Sequence, residues 1–312
     1  MVVRFGIQTA QQNMTWRELH DTWVAADSWG YDSLWLFDHF YPIFSDPDGP
    51  CHEGWTLLAA LAHATRLARI GHLVTGNTYR NPCVLAKMAV SVDHISAGRL
   101  NLGLGAGWYE LEHDSFGIEY PPIPRRLGAL DESCRILKGM LRGERISLDG
   151  NHYRVRDAHA EPGPVQAGGP PLMIGGAGRK VLLRIVAEHA DMWNSFGTPA
   201  QMKELIDVIR DHGDRLGRDT DAIEKSVALP LCYSTNSDRQ TSACSTLARA
   251  YGLSPEQARE RIMIGSKDEC LEQVRSYLAV GVTHFIFLSF GPVLLDELQA
   301  FSEEVAPAAR RL

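Results

Sequence analysis

The feature that most constrains this chain is a rhythm. Short apolar runs that read as strands begin near residues 4, 33, 70 and 100, and each is followed by a helical pattern. A repeat of about 30 residues is the length of one strand–helix unit. Local signals agree with it. Thr15 and Glu18 form a capping box, Gly30 reads as a C-terminal cap, and Asn81-Pro82 opens a helix that Gly98 stops. The helix after the second strand is expected to run to about Ala68. Between about 105 and 171 the rhythm breaks into a short acidic helix, a proline-rich loop, a longer helix and a hairpin. The hairpin arms are 146–148 and 152–155, turned at Asp149-Gly150. Strands resume at 172–175, 191–194, 226–232 and 284–288, with a helix from about Arg179. A second, helical insertion is expected at about 233–265, with a cap at Ser254, and Ser266 opens the next helix. Eight strands, each followed by a helix, specify a single (β/α)8 barrel over residues 1–312, with insertions after strands four and seven. A doubly wound sheet with a cap is the competing layout, but no linker separates two such parts.

Charge and cysteine content narrow the function class. The chain has 31 basic and 38 acidic residues, a formal net charge of −7, and no long run of one sign. That surface argues against nucleic acid as a partner. No apolar run approaches the length of a membrane span, and the N-terminus reads as a strand rather than a leader, so a cytoplasmic protein is expected. The six cysteines form no CxxC pair and read as reduced, buried hydrophobes.

The stretch SLWLFDHF at 33–40 places an acid and an imidazole directly at a strand end. In a parallel barrel that is where chemistry sits. Residue types alone leave two readings of Asp38-His39: a hydrogen-bond anchor with a proton donor, or an N-cap aspartate beside a half-buried histidine. Gly175-Gly176-Ala177-Gly178-Arg179-Lys180 follows a strand and could cradle a phosphate at a helix N-terminus, or could be a tight turn. Gly103-Leu104-Gly105-Ala106-Gly107 fails the dinucleotide fingerprint because Trp108 breaks its register. Neither HExxH, nor HxH after the first strand, nor GxSxG occurs, and no lysine ends the sixth strand. No metal site is expected.

Several of these stretches together resemble the luciferase-like flavin and deazaflavin barrels. They are 33–40, Leu73-Val74-Thr75-Gly76-Asn77-Thr78-Tyr79-Arg80-Asn81-Pro82, the run from Gly98 to Trp108, and Pro171 to Gly176 with Ala190-Asp191-Met192-Trp193-Asn194. The similarity covers nearly the whole chain and is strongest to the branch that uses coenzyme F420, a 5-deazaflavin. It implies a (β/α)8 barrel with the cofactor across the C-terminal strand ends. Asp38 would contact the deazaflavin head, and His39 would be catalytic, near the hydride-carrying carbon. His72, Leu73 and Val74 match the place where the family carries a non-prolyl cis peptide against the central ring. Gly105, Ala106 and Gly107, with Gly175, Gly176, Ala177, Gly178 and Arg179, would line the ring and phosphate, with Gly265 nearby. A homodimer is expected of barrels of this kind.

Sugar-phosphate dehydrogenases of the superfamily carry a tryptophan and a glutamate where this chain has Ile43 and Trp108. The expectation is therefore a small, hydrophobic substrate in a pocket built by Trp55, Trp108 and Tyr109. Hydride transfer with coenzyme F420 is the leading function. FMN-dependent monooxygenation with a separate reductase, or non-catalytic deazaflavin binding, are the alternatives.

Overall fold

The structure is a computed structural model that describes residues 2–289 and 293–312. The first half of the barrel comprises β1 (Arg4–Thr9), α1 (Trp16–Ser28), β2 (Ser33–Leu36), α2 (Gly54–Ala64), β3 (Arg69–His72), β4 (Thr75–Gly76), α3 (Pro82–Ile95) and β5 (Leu100–Gly105). The first insertion holds α4 (Glu110–Phe116), α5 (Ile123–Leu141) and the hairpin β6 (Ile146–Asp149) and β7 (Arg154–Ala158). Then come β8 (Leu172–Gly175), α6 (Leu182–His189), β9 (Met192–Ser195), α7 (Pro199–Leu216) and β10 (Glu224–Cys232). The second insertion contributes α8 (Ser237–Tyr251), α9 (Pro255–Arg259) and β11 (Met263–Ile264). The remaining elements are α10 (Lys267–Leu278), β12 (His284–Ser289), α11 (Leu295–Ala300), a π-turn at Phe301–Val305 and α12 (Ala306–Ala309).

Strands β1, β2, β3, β5, β8, β9, β10 and β12 pair in parallel in that order, and β12 returns to β1 to close the ring. The expected (β/α)8 barrel is therefore the fold. Its interior is filled by Trp35, Met173, Met192 and Ile286, and on its outer side Phe5 packs on Phe285 and Phe287, while Phe5 and Phe287 both meet Phe301. Gly6 is needed at the barrel's lower end, because a Cβ there would run into Ser33, whose hydroxyl meets His284 Nε2 at 2.7 Å.

Four boundaries differ from expectation, each for a local reason. Helix α2 stops at Ala64 rather than Ala68, because the buried carboxylate of Asp27 accepts from the N–H groups of Arg66, Leu67 and Ala68 at 2.7–3.0 Å. These donors are thereby taken out of a helix. The third barrel strand is split into β3 and β4 by a cis peptide at Leu73-Val74. Helix α6 begins at Leu182, so Arg179 and Lys180 precede it rather than open it. The second hairpin arm starts at Arg154, and a register shift between Ile146 and Leu148 moves its end to Ala158. The second insertion also carries β11, which extends β10 in parallel and was not expected as a strand.

Asp27→Ala would leave three backbone donors at the α2–β3 turn without their acceptor. A loss of about 2–3 kcal/mol in unfolding free energy is expected. Denaturant titration of the variant against the parent measures it, and a change within about 0.5 kcal/mol would contradict this role for Asp27.

Candidate functional site

The C-terminal ends of the strands open into a cavity of about 500 Å³. Seven of the eight barrel segments contribute by their strand ends: Gln8 from β1, Asp38 and His39 after β2, Val74 after β3, Gly105 to Trp108 at the end of β5, Gly175 and Gly176 at the end of β8, Asn194 from β9 and Leu288 from β12. Helix α8 adds Tyr251 from the second insertion, which brings a distant segment to the mouth.

Val74 is the floor. A Cβ on Gly105 would lie 2.7 Å from its Cγ2, and one on Gly175 3.0 Å from its Cγ1, so both positions must lack a side chain for Val74 to sit between them. Gln8 holds the turn by donating from Nε2 to the Leu73 carbonyl at 3.0 Å. Together these make a flat, backbone-rich cradle with one branched side chain at its centre.

Asp38 is fully buried, and both of its oxygens are already engaged. Arg80 grips it with two bonds of 2.5 and 2.9 Å, and the Gly76 N–H adds a third at 3.2 Å. Burial alone would weaken the Arg80 cation, but Asp38 and Glu53 outweigh it and hold its pKa above the ordinary value. Fork-to-fork pairing of this kind fixes orientation as well as charge.

His39 has a different partner. Its Nδ1 lies 2.9 Å from Oε2 of Glu112, a carboxylate at 0% exposure. Tyr79 donates its hydroxyl to the same oxygen, while the Phe40 and Tyr41 N–H groups reach Oε1 at 2.5 and 3.0 Å. Burial pushes the Glu112 carboxyl up, but the His39, Tyr79 and Tyr41 bonds outweigh it and its pKa is lowered. The other ring nitrogen, Nε2, is left without a protein partner among the described residues, on a side chain that lines the cavity.

Aromatic side chains build the upper wall. Trp108 stacks on Tyr109 at 5.1 Å and meets the His39 ring edge-on at 5.4 Å, while Phe44 contacts both Trp108 and Tyr251. Of the three expected pocket aromatics, Trp108 lines the cavity and Tyr109 backs it. Trp55 is buried behind it, against His72 at 4.7 Å. His72 lies beneath the wall as well, with neither ring nitrogen hydrogen-bonded.

Other expected residues stand outside the cavity. Ala177 and Gly178 continue the turn beyond Gly176 and do not line it. Arg179 points to Glu204 of α7 at 2.5 Å. Gly265 bonds the Cys232 carbonyl at the base of the second insertion. Sequence reasoning missed Glu112, Arg80 and Tyr79. For Glu112 a signal existed: Glu112 and His113 stand three and four residues after Tyr109, the cap of α4, so both turn toward the side of the helix that Tyr109 occupies. At the opposite end of the barrel, Asp131, Glu188 and His189 lie close together, but Arg135 and Arg184 already pair with the acids.

His72 gives a stability prediction. Burial lowers its pKa below the ordinary value, with only partial opposition from Asp38. An unfolded chain then takes the proton first as the pH falls, so native stability is lost below about pH 6.5, by up to about 1.4 kcal/mol per pH unit. His72→Leu is expected to flatten the dependence of unfolding free energy between about pH 6.5 and 5. An unchanged slope would rule His72 out as its source.

Comparison with known proteins accords with this geometry. A protein of Segniliparus rotundus described as an F420-dependent glucose-6-phosphate dehydrogenase is 27% identical over 337 aligned positions, covering 99% of each chain. The solved structure of an F420-dependent secondary alcohol dehydrogenase, in complex with an F420–acetone adduct, superposes with a TM-score of 0.88 at 18% identity and 99% coverage of both chains. The coenzyme F420-dependent tetrahydromethanopterin reductase of Methanopyrus kandleri gives 0.83, also at 18% identity and 99% coverage of both. Residues 1–252 match the profile of the family described as luciferase-like monooxygenase, and the chain belongs to that family.

Proposed function

We propose that this protein is a coenzyme F420-dependent oxidoreductase acting on a small, apolar alcohol or carbonyl compound. The observation that carries the reading is the composition of the cavity wall. A glycine-rich cradle with Val74 at its centre lies on one side, and the free Nε2 of His39 belongs to the other. A flat tricyclic ring suits such a cradle, because the backbone at Gly105 and Gly175 offers no side chain to obstruct it.

Once bound, the deazaflavin supplies a two-electron hydride carrier. The protein's part is to position the substrate and move one proton. His39 Nε2 is the proton partner of the substrate oxygen. Asp38, whose oxygens are committed to Arg80 and Gly76, keeps the β4 turn in place, and as a lining residue of the cavity it would lie against the deazaflavin head. His72 and Trp55 back this floor, and Gly107 and Gly176 leave the rim open.

The substrate is apolar on this reading. Phe44, Trp108, Phe196, Tyr251 and Leu288 form most of the upper wall, and none of the described lining residues is Lys or Arg. A phosphate would need such a cation. Arg261 lies in a smaller cavity beyond Phe196 and Tyr251, where it bonds Gln201. Thus the glucose-6-phosphate activity named for relatives is not the one this wall favours. A homodimer is consistent with the family and is part of the proposal.

Absorbance and fluorescence titration with coenzyme F420 and with FMN tests the cofactor. Micromolar binding of the deazaflavin, tighter than FMN, is expected, and failure to bind it would refute the reading. His39→Asn is expected to lower turnover by about 10²–10⁴-fold while leaving the deazaflavin dissociation constant within about threefold. Unchanged turnover would remove His39 from the chemistry.

A further inference from the structure

We infer that Glu112 is a positioning residue that fixes the tautomer of His39, so that the nitrogen facing the cavity is always the one able to accept a proton. The inference rests on the oxidoreductase reading for its catalytic consequence, but not for its structural content.

A carboxylate has about four acceptor directions, two on each oxygen. At Glu112 all four are used. Oε1 receives the N–H groups of Phe40 and Tyr41, and Oε2 receives the Tyr79 hydroxyl and His39 Nδ1. Two of these donors are backbone amides, which cannot reverse role. An acid with every acceptor direction taken has no room for a proton of its own, and its lowered pKa agrees. An ionised carboxylate only accepts, so His39 Nδ1 must carry a hydrogen. In the neutral ring Nε2 is then bare. The arrangement therefore selects a base. Its partner in the bound state is a hydroxyl group that donates, which points to the alcohol form of the substrate as the species the resting site receives. When the alcohol is oxidised, its O–H proton goes to His39 Nε2 and its C–H hydrogen leaves as hydride to the deazaflavin, so the substrate gives up a hydride, which carries both electrons, and one separate proton. Glu112 takes no proton and stands opposite the imidazolium that results, as the aspartate does in a Ser-His-Asp triad.

The same geometry predicts what a neutral isostere does. In Glu112→Gln the side-chain oxygen has to face Phe40 and Tyr41, because their N–H groups can only donate. The amide NH2 then faces Tyr79 and His39, both of which can turn into acceptors. His39 Nδ1 loses its hydrogen and Nε2 gains one. The free nitrogen changes from acceptor to donor without any change of shape.

Nitrogen-15 NMR of histidine-labelled protein, without cofactor, reads this directly at a pH where His39 is neutral. The parent is expected to show a protonated Nδ1 and a bare Nε2, and Glu112→Gln the reverse. In the loaded enzyme the variant is expected to lose about 10²–10⁴-fold in the rate of alcohol oxidation, as wrong-tautomer variants of hydrolytic triads do, with deazaflavin binding kept within about threefold. Tyr79→Phe removes one donor but not the selection, and should keep the parental tautomer; it also serves if Glu112→Gln does not fold. A parental His39 already protonated at Nε2, or a Glu112→Gln protein that keeps the parental tautomer, would overturn the inference. A parental tautomer as expected, with no deazaflavin binding, would instead count against the proposed function alone.

Discussion

The site depends on one buried anion. Glu112 comes from the first insertion, yet its carboxylate ties down the chain that leaves β2, through the N–H groups of Phe40 and Tyr41, the ring of His39 and the hydroxyl of Tyr79. Removing a charge of this kind from water costs several kcal/mol, and only a full set of donors repays it. Four donors from two separate segments therefore have to arrive in the same place. That requirement joins the loop after β2, the start of α3 and helix α4 into one wall of the cavity.

A second anion does the corresponding work for the floor. Asp38 draws in Arg80 and the Gly76 N–H, so the turn between β4 and α3 is held against the end of β2. Between these two anchors lies Val74, which has room only because Gly105 and Gly175 have no side chains. The adjacent residues Asp38 and His39 thus point to different partners and serve different surfaces. One supports the cradle and the other faces what lies above it.

Much of this was legible in the sequence. The strand–helix repeat, the capping boxes at Thr15, Ser254 and Ser266, and the acid–imidazole pair at a strand end are local patterns, and local patterns survive in a single chain. What was not legible depends on tertiary pairing. Glu112 lies 73 residues from His39, and α4 carries Leu111 outside and Glu112 inside, the reverse of the usual amphipathic pattern. The end of α2 was misjudged because its competitor, Asp27, sits on another helix. Arg179 follows a glycine turn, as a phosphate ligand would, and its pairing with Glu204 of α7 joins residues 25 apart that no local pattern links. Trp55 has the residue type of a pocket aromatic, but packing buries it against His72, behind the floor that Val74 forms.

The proposal of an apolar substrate rests on the aromatic wall, formed largely by Phe44, Trp108, Phe196 and Tyr251. The central claim is that an apolar alcohol gives up its hydride here, with His39 taking the proton. An anaerobic single-turnover experiment tests it most directly: protein loaded with oxidised coenzyme F420 is mixed with aliphatic secondary alcohols or with glucose 6-phosphate, and the deazaflavin absorbance is followed. Bleaching by the alcohols, slowed when the carbinol hydrogen is deuterium, is the predicted result. Bleaching by the sugar phosphate alone would contradict it.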